Sequence, residues 1–252
     1  MVHREQLTGA FDQLLQPARF KDYGPNGLQV EGRDDVHRIV SGVTASRALI
    51  EAAIAEQADA IVVHHGLFWR GQDGRVTGWM KQRLALLLAH DINLFAFHLP
   101  LDAHPELGNN AQLARVLDLR ADGRFGEQDL GFLGARSDGS AFADAGALAA
   151  HVERALGRKP ILVEGRTGPI TRLAWCTGGA QGWFEDAIAA GAQAFLTGEI
   201  SEPQAHYARE CGVSFLACGH HATERYGAPA VAQHVAQALG LEHRFIDVDN
   251  PA

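Results

Sequence analysis

Four short clusters in this 252-residue sequence carry side chains able to do chemistry, and each lies just past an apolar run. His64 and His65 follow AIVV (60–63), and His98 and Asp102 follow NLFAF (93–97). Glu199 follows AFLT (194–197), and His220, His221 and Glu224 follow SFLAC (214–218). Imidazole and carboxylate together make a borderline donor set suited to Zn²⁺, Fe²⁺ or Mn²⁺. Carboxylates also bridge ions, and two ions about 3.5–4 Å apart are a known hydrolytic device. Each cluster taken singly has a plainer reading as a surface loop, a helix cap, a salt bridge or a core histidine. Three His or carboxylate pairs at three strand ends favour metal chemistry. Neighbouring side chains on a strand point to opposite faces, so His64 and His65 are expected to share a site only past the strand's end. If a helix opens at His220, then His220 and Glu224, at i and i+4, share one face. His221 would point elsewhere, which leaves it the weaker ligand candidate.

The elements that must position these groups alternate along the chain, which makes the fold class α/β. Strands are predicted at 38–43, 60–63, 93–97, 172–176, 194–197 and 214–218. Helices are predicted near 4–15, 46–57, 80–90, 109–117, 144–156, 181–190, 202–211 and 226–239. In open α/β sheets ligands bind beyond the carboxyl ends of the strands, where all four clusters fall. A shift of 134 residues lays RLAWCTGGA (172–180) on RIVSGVTAS (38–46) and AQAFLTGEI (192–200) on ADAIVVHHG (58–66). Further on the shift is 122, and His98-x-x-x-Asp102 meets His220-x-x-x-Glu224. Two α/β stretches can look alike by chance, but the near-constant shift favours an internal duplication. The expectation is two similar lobes, 1–125 and 126–252, in one compact unit, with the clusters at the carboxyl ends of their strands. The first copy carries an extra WRGQDGRVTGWM (69–80), read as a Gly-rich loop over the site.

The formal net charge of −8 argues against a sequence-independent nucleic-acid partner, which needs a basic face. Hydrophobic residues at 46% and charged residues at 21% suit a soluble globular protein. The start MVHREQLTGAFDQLL has no apolar signal core, and no run approaches a membrane span. Three cysteines without CxxC spacing suit reduced thiols, so the expected location is cytoplasmic, with no membrane partner. There is no GxxxxGK[ST], GxGxxG, GxSxG or HExxH pattern. CTGGAQG (176–182), with Gly178 and Gly179, is either an anion-cradling turn or a plain tight one. In DYGPNGLQVEG (22–32), Asn26 and Gln29 either touch a ligand or only order the loop.

Together DYGPNGLQVEG, VSGVTAS, IVVHHGLFW, HLPLDAHPELGNNAQLA, CTGGAQ, FLTGEISEPQAHYARE and GHHATERYG resemble the GTP cyclohydrolase 1 type 2 family. Its members are also called NGG-interacting-factor-like dinuclear metal proteins. The resemblance runs in order along essentially the whole chain and matches the short bacterial form. It implies two similar α/β lobes around two divalent metal ions per chain (Zn, Fe or Mn), assembled as a toroidal homohexamer. Residue by residue it implies His64, His65, Asp102, His220 and Glu224 as metal ligands, Glu224 as the bridge, and His98 as a substrate-side group. The expected function is a dinuclear metal-dependent hydrolase with a nucleotide substrate, opening GTP to dihydroneopterin triphosphate and formate. His98 and Glu199 would move protons in it. The rival readings are a metal-stabilised, ring-shaped binding or scaffold protein and a different metal-dependent hydrolysis.

Overall fold

Every apolar run singled out above is a strand: Arg38–Thr44, Ala60–His65, Asn93–Ala96, Leu173–Trp175, Ala194–Thr197 and Ser214–Ala217. The computed structural model describes residues 1–252. The chain falls into two units, one made of 1–108 with 227–249 and the other of 109–226 with 250–252. This differs from halves at 1–125 and 126–252, and packing gives the reason. Helix Gly227–Leu239 buries Val231 and Val235 with Leu7 and Phe11 of the first unit. Strand Glu242–Phe245 then pairs in parallel with Arg38–Thr44 and closes that unit's sheet edge.

The first unit holds a five-stranded sheet in the order Glu242–Phe245, Arg38–Thr44, Ala60–His65, Asn93–Ala96, Gly27–Val30. Its first four strands are parallel and Gly27–Val30 is antiparallel. Residues alternate between two cores, as the period of two along a strand requires. Ile39, Ala60, Val62 and Phe95 pack with helices Arg4–Leu15 and Gly227–Leu239. Val40, Ile61, Val63 and Leu94 face helix Arg47–Ala55 through Leu49, Ile50 and Ala53. A strand buried on both faces must read as a continuous apolar run, which is why these strands were legible.

The second unit has six strands in the order Leu119–Phe125, Gly131–Arg136, Leu173–Trp175, Ala194–Thr197, Ser214–Ala217, Ile161–Val163. Its central three are parallel, with antiparallel neighbours on both sides. Leu173, Trp175 and Leu196 pack against Leu148 and Val152 of helix Ala145–Leu156. Ala174, Phe195 and Phe215 cover Phe184 and Ala187 of helix Phe184–Ala189. The pairing Ile39↔Ala60, Val40↔Ile61, Ser41↔Val62 recurs 134 residues on as Leu173↔Ala194, Ala174↔Phe195, Trp175↔Leu196. No helix is long and apolar enough to cross a membrane.

Candidate metal centre

In the first unit, strand Ala60–His65 runs through both histidines instead of ending before them. Thr44 still pairs with His65, and the Ala45 N–H donates to the His65 carbonyl at 2.8 Å. The two histidines therefore lie on the strand's last positions and not past its end. Side chains lean along the strand direction, so the last two of a strand can meet beyond its edge. The His64 and His65 rings lie 4.5 Å apart between centroids. One ring nitrogen each from His64, His65 and His98 lies within 4.8 Å of the others.

Each ring is held from behind. His64, fully buried, has Nδ1 3.0 Å from the Phe97 carbonyl oxygen. A carbonyl only accepts, so Nδ1 carries a proton, and Nε2 is the nitrogen turned away from it. That Nε2 lies 3.6 Å from Oδ1 of Asp102, a buried carboxylate on the short helix Leu99–Ala103. His65 Nδ1 is 3.1 Å from Thr44 Oγ1. An oxygen behind the far ring nitrogen is the usual support of a metal-ligating histidine.

His98 Nδ1 lies 2.7 Å from Oδ1 of Asp22, a residue the sequence did not single out. Burial pushes the Asp22 carboxyl up, but hydrogen bonds from His98 and Asn26, the His98 charge and the Leu99 amide outweigh it and hold the pKa at about 2. Asn26 bridges the two segments: its Nδ2 donates to Asp22 Oδ2 at 2.9 Å, and its Oδ1 accepts the His98 N–H at 2.7 Å. Gln29 accepts the Leu67 N–H at 2.8 Å and donates to the Pro25 carbonyl, fixing the turn after His65. Both amides thus order the loop.

In the second unit, Gly219 (φ +101) turns the chain from strand Ser214–Ala217 into helix His220–Glu224. His220 Nε2 and Glu224 Oε2 lie 3.1 Å apart, on one face as the i, i+4 spacing predicts. His220 Nδ1 is 2.6 Å from Glu199 Oε1. Burial lowers the His220 pKa, but hydrogen bonds and charge from Glu224 and then Glu199 raise it to about 9. Glu224 is buried at 3% exposure.

The CTGGAQG turn fits against the Glu199–His220–Glu224 chain and spends two of its amides on threonine hydroxyls. The Gly178 N–H donates to Thr223 Oγ1 at 3.0 Å, and the Ala180 N–H donates to Thr197 Oγ1 at 3.3 Å. Gly178 has φ +69, and a Cβ there would collide with the Glu224 carboxylate. The glycine leaves room for that carboxylate. Imidazoles presenting Nε2 beside buried carboxylates fit a borderline divalent ion in donor type and in burial.

Residues 2–251 match the family described as Duf34/NIF3 (NGG1p interacting factor 3). A protein of Neisseria meningitidis serogroup A named "GTP cyclohydrolase 1 type 2 homolog" is 52% identical over 252 residues, with both chains covered fully. One of the same name from Pseudomonas aeruginosa is 53% identical over 249 residues, 98% of this chain and 97% of that one. Among solved structures, protein ybgI, described as of unknown function, aligns over all of both chains with TM-score 0.95 and 45% identity. TTHA1606 from Thermus thermophilus aligns over all of both chains at TM-score 0.88 and 31% identity.

The ionised state of Asp22 and the closeness of Gly178 to Glu224 both have measurable consequences. Asp22 titrates below its ordinary 3.8 in the folded chain, so its stabilisation is present above that pH and is lost as the pH falls through about 2. The unfolding free-energy gap between wild type and Asp22→Asn should therefore narrow by about 2 kcal/mol between pH 6 and pH 2. A gap that does not change with pH would contradict the ionised assignment. At Gly139, with φ +75 and nothing near a built Cβ, substitution by Ala costs only backbone strain, about 1 kcal/mol. Gly178→Ala adds the collision with Glu224 and should cost more than Gly139→Ala in denaturant unfolding.

Proposed function

The chain belongs to the Duf34/NIF3 (NGG1p interacting factor 3) family, and from that premise we propose that it is a metal-dependent hydrolase with GTP as substrate. In this reading His64, His65, Asp102, His220 and Glu224 hold two divalent ions per chain, zinc, iron or manganese, with Glu224 as the bridge. The observation that carries it is the convergence of the His64, His65 and His98 ring nitrogens within 4.8 Å at the carboxyl end of a buried strand. The buried His64 Nε2 beside the buried Asp102 carboxylate, 3.6 Å apart, adds support, because imidazole nitrogen and carboxylate oxygen are the donors such an ion takes. What the ions supply when bound is acidified water, its pKa lowered to about 7, which makes a nucleophile available at neutral pH.

The remaining work falls to the chain's own side chains. Asp22, ionised and fixed by four donors, keeps the His98 proton on Nδ1. His98 Nε2 is then the atom that accepts a proton from the reacting group and returns it. Glu199 turns the His220 ring so that Nε2 faces Glu224, and it handles the proton on His220 Nδ1. With GTP, two hydrolytic steps open the five-membered ring of guanine and release C8 as formate; the ribosyl carbons then rearrange and close onto the freed amine with loss of water, giving dihydroneopterin triphosphate. The names of the Neisseria and Pseudomonas relatives support this substrate. The resemblance to this family supports an assembly as a closed ring of six copies, in the cytoplasm. The net charge of −8 speaks against a nucleic-acid partner.

Elemental analysis of protein reconstituted with Zn²⁺, Mn²⁺ or Fe²⁺ should give close to two ions per chain. Glu224→Ala should lose more metal than any single histidine variant, and a protein retaining only traces of metal would sink the centre. Activity is read as formate and as a fluorescent pterin after oxidation. Chelation should abolish both and added metal restore them. Asp102→Ala should abolish turnover through lost metal, whereas His98→Ala should keep both ions and slow turnover about 10²–10⁴-fold. A fully loaded protein that forms neither product leaves the metal centre standing and moves the reading to a binding scaffold or another hydrolysis.

A further inference from the structure

Two aromatic side chains flank His98 and belong to none of the four buried cores of the chain. The Trp69 ring stands edge-on to His98, with centroids 5.0 Å apart at 89°, and lies 6.0 Å from His65. The Tyr23 ring is also edge-on to His98, at 6.0 Å and 65°, and is 57% exposed. The backbones beneath them are latched to one another. The Arg70 N–H donates to the Tyr23 carbonyl at 2.6 Å, and the Arg70 guanidinium donates to the Asp22 carbonyl at 2.6 Å. Gly24 lies so close to the Phe68 carbonyl and the Trp69 ring that a Cβ would not fit. The fold thus fixes two loops rigidly while leaving an aromatic ring in solvent beside His98. That exposure has no packing role, and a preformed aromatic surface is what lowers the ordering cost of binding a flat ligand.

We propose that Tyr23 and Trp69 form an aromatic rim that stacks a planar heterocycle of the purine class beside His98. The inference deepens the function proposed above, since it rests on His98 as the group next to the reacting atoms. The slot lined by Gly24, Gln29, His64, Phe68, Trp69 and His98 has a volume of about 10 Å³. That is room for one water, so the ligand ring lies against the aromatic faces and does not enter the slot. Stacking on an aromatic side chain needs only a π-face, so the rim selects flatness, and His98 and the metal centre determine which atom reacts.

The test is isothermal titration of zinc-reconstituted protein with guanosine 5′-monophosphate and with ribose 5-phosphate, which lacks the base. The nucleotide should bind at least 10-fold tighter than ribose 5-phosphate. Trp69→Ala and Tyr23→Ala should each weaken the nucleotide about 10- to 100-fold and leave ribose 5-phosphate and metal content unchanged, while Tyr23→Phe retains affinity. Trp69→Phe replaces Trp69→Ala if the latter fails to fold, and should lose less. Equal affinity for the two probes, no binding of the nucleotide, or rim variants that bind it as tightly as wild type would each overturn the proposal. Base-dependent binding without formate or pterin would sink the cyclohydrolase reading and keep the rim. Turnover with rim variants indistinguishable from wild type would sink the rim alone.

Discussion

Each histidine in the two groups is gripped through Nδ1 by an oxygen, and the chemistry of the protein depends on that grip. The oxygens are the Phe97 carbonyl for His64, Thr44 Oγ1 for His65, Asp22 Oδ1 for His98 and Glu199 Oε1 for His220. Where the oxygen is a carbonyl or an ionised carboxylate it can only accept, so Nδ1 carries the proton and Nε2 faces outward. A loose imidazole would sample both ring flips and both tautomers. A fixed one presents one atom in one direction, which lets several rings address the same point.

The sheets exist to supply those oxygens at the right places. Phe97 follows strand Asn93–Ala96, and its N–H donates to the Val63 carbonyl, so the ladder that pairs two strands also sets the acceptor behind His64. Thr44 is the last residue of its strand and pairs with His65, so its hydroxyl is placed by the register itself. In the second unit the equivalent work is done by the Thr197 and Thr223 hydroxyls. They hold the Gly178 turn and the start of helix His220–Glu224 on one framework. A slip of one residue in either sheet would turn each of these groups to the opposite face.

The sequence revealed most where burial dictates residue type. The six central strands read as unbroken apolar runs because helices cover both of their faces, and the i, i+4 spacing of His220 and Glu224 placed them on one helical face. Edge strands such as Leu119–Phe125 and Glu242–Phe245 escaped, because half of their side chains meet solvent and their periodicity is diluted by Arg120, Asp122, Glu242 and Arg244. The return of 227–249 to the first unit escaped too, because a helix's apolar stripe does not say which sheet it will cover. At the site, the histidines and carboxylates at the strand ends were visible from their type and place, and the groups behind them were not. Asp22 lies 76 residues from His98, and no local pattern links the two. His64 and His65 were expected to share a site only past the strand's end, yet they meet from its last two positions, where side chains lean along the strand.

The charge arrangement around His220 shows how the second unit can hold a buried carboxylate whether or not a metal is present. Glu224 is all but inaccessible, and an ionised carboxylate in that position needs a positive partner within contact distance. The imidazolium of His220, its pKa raised to about 9 against the cost of its own burial by Glu224 and Glu199, is that partner at neutral pH. A divalent ion ligated by His220 Nε2 and Glu224 would have to displace the proton from Nε2, replacing one positive charge with two between the same groups. Glu199 would keep its hydrogen bond to Nδ1 in both states, so the ring need not turn when proton and metal exchange. The geometry that stabilises the protonated histidine would therefore also suit a ligated one, and an ion bound there would change the charge with little change of shape.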